Sequence, residues 1–414
     1  MANFPTLQLD FVREQFPALS GDWTFFDNAG GSQTLKRVVD RISEFLLTSN
    51  VQLGASYGVS QLAGERLAKA TQAMATLIHA ADPTEVIMGP STTMLLRILS
   101  LCLVQTFEPG DEIIVTNCDH EANIGVWLDL EKQGIQLKVW HLNPDTLALD
   151  LEDLKALLSP RTRLVAVTHA SNVLGTINPI KAIADLAHAQ GALICVDGVA
   201  YAPHRLVDVQ ESDVDFYVFS FYKVYGPHHA LLYGKREHLL NLPSINHYFI
   251  DSTNIPYKFQ PGNVNYELSY GMLGLCEYLS DLTRQHYGDR TALDLRQQMK
   301  QAFDLISIHE EQLAEHLLNY LNRKPNVRII GQPTADRTQR VPTVSFVVNG
   351  IDSATIPPQI DPYKIGIRYG DFYAKRLIKD LGLQNQGGVV RISMVHYNSL
   401  EEVDRLIQHL DSVL

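Results

Sequence analysis

Short apolar runs and stretches of helical period alternate along most of the chain. Leu35, Val38, Val39, Ile42, Phe45 and Leu46 recur at helical spacing, as do Leu67, Ala70, Met74, Leu77 and Ile78. Each set predicts an amphipathic helix with one face on a core. After residue 85 the texture changes. The segments EVIMG, EIIVT, LKVWHL, RLVAVTH, ALICVD, DFYVFS and HALLYG are short and rich in β-branched or aromatic residues. Helical stretches such as 180–190 lie between several of them. Continuous apolar strands separated by helices indicate a mostly parallel sheet covered by helices on both faces, an α/β architecture. From about residue 291 a smaller α+β domain is expected. It comprises a long helix over 292–322, the strands VRII and PTVSFVV, a helix over 372–381, the strand VVRISMV and a last helix from Ser399. The resulting division is an N-terminal segment 1–30 packing with the small domain, a large domain 31–290 and a small domain 291–414. No internal repeat or low-complexity tract interrupts this order.

Composition narrows the class of function. The chain has 414 residues, 45% hydrophobic and 19% charged, with 46 acidic against 34 basic residues and a net charge of −12. That is ordinary globular usage. The acidic balance makes nucleic acid or an anionic membrane surface a poor partner. The most apolar stretch, 95–104, is too short to span a bilayer and contains Arg97. The first residues show no charged region followed by an apolar run, as a secretory leader would. Cys102, Cys118, Cys195 and Cys276 lie far apart without CxxC spacing, which fits a reducing compartment and a cytoplasmic protein. No GxGxxG, P-loop, HExxH or clustered Cys/His pattern occurs, so no dinucleotide, P-loop nucleotide or metal is expected.

In a parallel sheet, ligands gather outside the carboxyl ends of the strands. The residues to inspect there are 90–93, Asp119-His120, Ser171-Asn172, Asp197 and 220–223. Lys223 follows an apolar strand among aromatic neighbours and a Gly-Pro turn. A lysine in such surroundings loses its charge readily and can form a Schiff base. Asp197 ends another apolar strand. A strand-end carboxylate facing a strand-end lysine is what pyridoxal phosphate requires, because the carboxylate keeps the pyridine nitrogen protonated and the ring then acts as an electron sink. Ser91, Thr92 and Thr93 precede a helical pattern and can offer hydroxyls and backbone N–H groups to a phosphate. Taken singly, each has a plainer reading: a solvated lysine stem, a helix-capping acid, an N-cap.

Together these residues carry a resemblance. The chain resembles the class V aminotransferase family of pyridoxal-phosphate enzymes, and within it the cysteine desulfurase and selenocysteine lyase group. The resemblance runs through Phe26-Asp27-Asn28-Ala29-Gly30-Gly31, Asp119-His120-Glu121-Ala122-Asn123 and the segment THASNVLG at 168–175. It continues in Val196-Asp197-Gly198, in DFYVFS with Lys223 and Gly226-Pro227, and in Val390-Arg391-Ile392-Ser393 with Tyr397-Asn398. It implies fold type I of the pyridoxal-phosphate-dependent transferases. Lys223 would carry the cofactor and shuttle the proton at the substrate α-carbon, Asp197 would pair with the pyridinium nitrogen, and His120 would stack on the ring. Ser91, Thr92, Thr93, Ser220 and Tyr222 would surround the phosphate, and Asn172 would reach the ring hydroxyl or the substrate carboxylate. Arg391 would grip that carboxylate as a bidentate fork, with Asn28 nearby. The segment 260–265, with Gly262 and Asn263, resembles one that enters the partner's active site, which implies a homodimer with shared sites.

The departures concern the substrate. The group's nucleophilic cysteine falls at Tyr373, and no cysteine follows Cys276. A phenol cannot replace a thiolate as sulfur acceptor. Tyr222 stands where the family has a phosphate-binding histidine, Ala200 where it has a glutamine, and Gln52-Leu53 where it has His-Arg. The loop 365–374 then shapes the pocket, with Arg368, Tyr369 and Tyr373 as substrate contacts. Cys118, near a strand end, reads as a small buried residue, and His228-His229 as structural or pocket-lining. The resulting expectation is a C–S lyase that acts on a small amino acid by β-elimination without a persulfide. A class V aminotransferase or epimerase, and a lapsed pyridoxal-phosphate fold serving as a binding or regulatory protein, are the alternatives.

Overall fold

A computed structural model describes residues 5–288 and 292–414. Thirteen strands are described: β1 Thr24–Phe25, β2 Val86–Gly89, β3 Glu112–Thr116, β4 Gln136–Trp140, β5 Thr162–Thr168, β6 Leu193–Asp197, β7 Phe216–Ser220, β8 Ala230–Gly234, β9 Val327–Ile330, β10 Thr343–Val348, β11 Ile365–Gly366, β12 Arg368–Gly370 and β13 Val389–Ser393. β2 to β8 form a seven-stranded sheet in the order β2-β8-β7-β6-β5-β3-β4. Strands β2, β3, β7 and β8 are buried at every position, as a sheet covered on both faces requires. All pairings from β7 to β4 are parallel, whereas β8 runs antiparallel to β7 and to β2. The connection 221–229 is too short for a crossover helix, so the chain must reverse there. The carboxyl ends of β2, β3, β5, β6 and β7 consequently share one edge.

The smaller sheet, β12-β13-β10-β9, is antiparallel throughout. Leu313, Leu317 and Leu321 of the Leu295–Leu321 helix and Val403, Leu406 and Leu410 of the last helix form its core with Val344, Phe346 and Ile392. Phe26 is buried in that same core, and β1 pairs in parallel with β11. This N-terminal strand brings Asp27 alongside Ser393. The Leu295–Leu321 helix starts later than its apolar pattern suggests, because Asp294 and Gln297 form a capping box. Its first half, with Met299, Phe303 and Ile306, belongs to the core of the large sheet. The expected boundary at 290–291 lies outside the described residues.

Two local expectations are corrected. The helix expected over 372–381 spans only Lys375–Asp380. Phe372 and Tyr373 have φ of 53° and 61°, left-handed values that no helix accommodates. Tertiary bonds hold them there: Asn172 Nδ2 donates to the Phe372 carbonyl and Glu121 N to that of Tyr373, both at 2.8 Å. In the Lys36–Thr48 helix, Val38 and Phe45 are buried, but Val39 and Leu46, counted on the same stripe, stay 48% and 45% exposed. No helix among the described residues is long and apolar enough to cross a membrane.

Arg340 ties the two sheets together. It is 1% exposed, and its guanidinium donates to the carbonyls of Thr343 (2.6 Å), Val341 (3.3 Å), Thr334 (3.4 Å), Leu174 (3.5 Å) and Gln332. Burial lowers its pKa to about 10. Arg340→Met would strand several buried carbonyls, and we expect a loss of about 3 kcal/mol. Urea denaturation checks this: the midpoint should fall with an unchanged slope.

Candidate active site

The carboxyl edge of the large sheet opens into a cavity of about 130 Å³ lined by Lys223, Asp197, His120, Asn172, Ser220 and the start of the Thr92–Leu103 helix. Lys223 ends a one-turn 3₁₀ helix, Phe221–Lys223, directly after β7. That turn is fixed by bonds from Phe221 N to the His229 carbonyl (2.8 Å) and from Gly226 N to the Phe221 carbonyl (2.9 Å). The ammonium group is 6% exposed as a residue and has no hydrogen-bond partner among the described residues. Burial and the nearby Arg391 charge lower its pKa to about 8, against the opposing pull of Asp197 and Asp27.

Asp197 is 4% exposed. Its Oδ1 accepts from Val199 N at 2.9 Å, and burial raises the carboxyl to about 6 despite that bond and the Lys223 charge. Gly198 follows because a Cβ there would fall 2.2 Å from the Tyr217 ring. Tyr217 in turn bonds His169 Nδ1 at 2.9 Å, and His169 stacks on Tyr201 with centroids 3.5 Å apart. These rings form a rigid wall behind Asp197.

At the other end of the cavity Ser91 caps the Thr92–Leu103 helix by accepting from Met94 N at 3.2 Å. Thr92 Oγ1 and Ser220 Oγ are 2.6 Å apart, and Thr93 is exposed on the cavity lining. The first N–H groups of this helix are free to meet an anion. His120 Nδ1 accepts from Ala122 N at 3.1 Å, so the neutral ring carries its proton on Nε2. Burial, Lys223 and Arg391 push its pKa down to about 4, which leaves a flat, uncharged ring facing the cavity. Tyr222 also lines it and stacks on His228 at 4.9 Å and 7°. His229 bonds Ser269 at 3.0 Å instead, so the two histidines serve different neighbours.

Asp119 has a larger role than its place in the sequence suggested. It is 1% exposed and accepts from Thr116 Oγ1 (2.7 Å), Asn123 Nδ2 (2.6 Å) and Thr168 N (3.0 Å). It thereby ties the ends of β3 and β5 beside His120, and burial raises it to about 7. In the sequence Asp119 shows only as a strand-end acid beside His120, and its bond to Thr168 has no local trace.

Several predicted contacts are placed differently. Asn28 is not free for a substrate: Nδ2 donates to the carbonyls of Phe25 (2.8 Å) and Ser393 (2.9 Å) and to Asn398 Oδ1 (3.1 Å), and Oδ1 accepts from Tyr397. It pins the N-terminal segment to the end of β13 and the residues that follow it. Arg391 is 2% exposed and already engaged, by Asp27 at 2.8 Å and the Asn172 carbonyl at 3.1 Å, with the Phe372 ring 3.7 Å from its Cζ. The Arg368 side chain is 56% exposed and lies 3.5 Å from Asp27. Tyr373 is 69% exposed, its ring 5.2 Å from that of His120. Gly262 and Asn263, expected to serve the partner's site, sit on an exposed turn, and Asn263 lines a second cavity beside His228 and Met94.

All four cysteines are buried. Burial pushes Cys102 and Cys118 up to about 12 and raises Cys195 and Cys276 well above the usual thiol value. No thiol is poised as a nucleophile. Among the described residues no three His, Cys, Asp or Glu side chains are grouped to hold a metal.

The donor set fits pyridoxal phosphate. An unpartnered buried amine, a buried carboxylate with a single backbone donor, a flat neutral ring and a helix N-terminus flanked by hydroxyls surround one cavity. Comparison with known proteins agrees. The family model "Aminotransferase class-V" matches residues 24–406. The chain is 43% identical, over 99% of both chains, to the aminotransferase-like protein FGM3 of Gibberella zeae. It is 36% identical to the cysteine desulfurase-like protein ustD of Aspergillus flavus, over 99% of this chain and 91% of that one. The solved structure of the cysteine desulfurase CsdA from Escherichia coli superposes with a TM-score of 0.83 over 98% of each chain, at 27% identity.

Proposed function

The chain belongs to the class-V aminotransferase family and is a pyridoxal-phosphate-dependent enzyme of fold type I, and from that premise we propose that it cleaves a C–S bond of a small amino acid by β-elimination, without a persulfide. The observation that carries this reading is the placement of its sulfur and phenol groups. Every cysteine of the chain is buried, and Tyr373, which the resemblance sets at the place of the related group's nucleophilic cysteine, is an exposed phenol.

Bound through Lys223, pyridoxal phosphate supplies an electron sink for the bonds broken at the substrate's α- and β-carbons. The residues divide the remaining work. Asp197 holds a proton at the pyridine nitrogen. Thr92, Ser220 and the helix N-terminus would hold the phosphate, and the flat His120 ring would pack against the cofactor. The Lys223 amine, its proton affinity lowered by burial, would take the α-proton. The sulfur leaves with the bonding electrons as a thiolate, so no enzyme thiol is needed to receive it. Transamination and epimerisation would use the same Lys223 proton transfer, and the products separate them. Retention of Lys223, Asp197, His120 and Arg391 favours an enzyme over a binding protein. This reading includes a homodimer in which Gly262 and Asn263 face the neighbour's site. The exposed Val39, Leu46 and Leu47 (84% exposed) offer apolar surface for such contact.

Alkylation of accessible thiols tests the chemistry. Release of sulfide and pyruvate from cysteine should continue within about twofold of the untreated rate, since thiols this buried are inert. A persulfide trapped on an enzyme cysteine during turnover, with activity lost on its replacement by serine, would overturn the proposal. Keto-acid formation without sulfide would select the aminotransferase alternative.

A further inference from the structure

Arg391 is incompletely served by its partner. Asp27 gives one oxygen, Oδ1, to its Nη2 at 2.8 Å. Its Nε is buried with no acceptor. Nε and Nη2 form one edge of the guanidinium, the edge that a carboxylate can bridge with both oxygens. Asp27 does not bridge it, because Oδ2 turns instead towards Arg368, 3.5 Å away. Arg368 and Arg391 are directly opposed in the β12–β13 pairing. Like charges so placed repel unless an anion lies between them. The two arginines differ in surroundings: Arg391 is 2% exposed, whereas the Arg368 side chain is 56% exposed with Asp27 as its one ion pair among the described residues. Over Arg391 lies the Phe372 ring at 3.7 Å, on a residue held at a left-handed φ of 53°. Such a conformation persists only while its surroundings enforce it.

We propose that Asp27 is an exchangeable counter-ion: it neutralises buried Arg391 in the free enzyme and passes to Arg368 when a substrate α-carboxylate bridges the Nε–Nη2 edge under a lifted Phe372. Arg368 then acts through Asp27 and is a positioning residue for carboxylate recognition. The exchange selects amino acids over simple amines without leaving a buried charge unpaired at any stage. It deepens the proposed function and rests on its amino-acid substrate.

Titration of the holoenzyme's visible absorbance with L-alanine, and with ethylamine as its counterpart lacking the carboxylate, tests the exchange without relying on turnover. Arg368→Met should raise the half-saturating L-alanine concentration about tenfold, the size expected on losing a charge-assisted bond. In an Asp27→Asn background the same substitution should change it less than about twofold, because no displaced carboxylate then needs a partner. Ethylamine should respond to neither change. Asp27→Ser replaces Asp27→Asn if the latter does not fold. An equal loss in both backgrounds would show direct contact between Arg368 and substrate and overturn the exchange, as would no loss in either. A wild-type enzyme unresponsive to both L-alanine and L-cysteine would overturn the amino-acid reading, and the exchange with it. A responsive wild type with additive variants overturns the exchange alone.

Discussion

Lys223→Ala is expected to abolish the visible absorbance of lysine-bound cofactor and to lower turnover by at least about 10⁴-fold, the upper range for removing a positioned acid–base group that is also the covalent anchor. The expectation follows from how the site treats this amine. With its pKa lowered to about 8, roughly a quarter of the lysines are neutral at pH 7.5, against about 0.1% for an ordinary lysine. That is a gain of more than a hundredfold in reactive amine, obtained from burial and from Arg391. The fold should survive the change, because Lys223 makes no side-chain hydrogen bond that its removal would orphan. The turn that carries it is held by backbone bonds and by its neighbour Tyr225, whose N donates to Ser32 Oγ at 2.9 Å and whose hydroxyl donates to the Pro203 carbonyl at 2.8 Å. Circular dichroism should therefore match the wild type while absorbance and turnover vanish. Partial recovery with added methylamine would show that an amine, and not the fold, was lost. Persistence of the cofactor band in the variant would show that Lys223 is not the anchor.

Why was so much of this site legible in the sequence? The strands that carry it are buried on both faces, so each appears as an unbroken apolar run that stops where the chain meets the cavity. In ALICVD the run ends on Asp197, and in DFYVFS it ends on Ser220, just ahead of Lys223. A parallel sheet places such endings on one edge. What stayed hidden depends on long-range bonds with no local trace. Asp27 and Arg391 meet although 364 positions separate them. The motif around Asn28 points to a substrate contact, yet its amide is held by Phe25, Ser393, Asn398 and Tyr397. Residues 372–373 suit both the start of a helix over 372–381 and the end of a loop over 365–374, and bonds from Asn172 and Glu121, distant in sequence, hold them in the left-handed conformation of the loop. Asp27, Asn28, Phe372 and Tyr373 all lie where the chain around the smaller sheet meets the edge of the large one. There the conformation is set by a surface that local periodicity does not encode.

Asp197→Asn separates function from stability, and the two should move in opposite directions. With cofactor bound, the variant is expected to lose about 4 kcal/mol of transition-state stabilisation, close to a thousandfold in kcat/KM, the usual effect of removing one partner of a buried charge pair. Asparagine is nearly isosteric and keeps the bond from Val199 N, but it cannot hold a proton on a pyridine nitrogen. Without cofactor the sign reverses. In the folded apo protein burial raises the carboxyl to about 6, above the ordinary carboxylate value. The folded state then binds this proton more tightly than the unfolded chain. The associated stability is full below about pH 4 and is lost as pH rises through about 6. At pH 7 the apo wild type therefore carries the cost of a buried, partly compensated charge, and asparagine removes it. Apo Asp197→Asn should be more stable than apo wild type at pH 7 by about 2 kcal/mol, with the difference vanishing near pH 4. Urea midpoints of the apo proteins at both pH values, set beside kcat/KM of the holoenzymes, measure the two arms. A variant that is less active and also less stable as apoprotein at pH 7 would mean that Asp197 is structural, held by partners that asparagine cannot satisfy. A variant with near-wild-type kcat/KM would remove Asp197 from the cofactor site altogether.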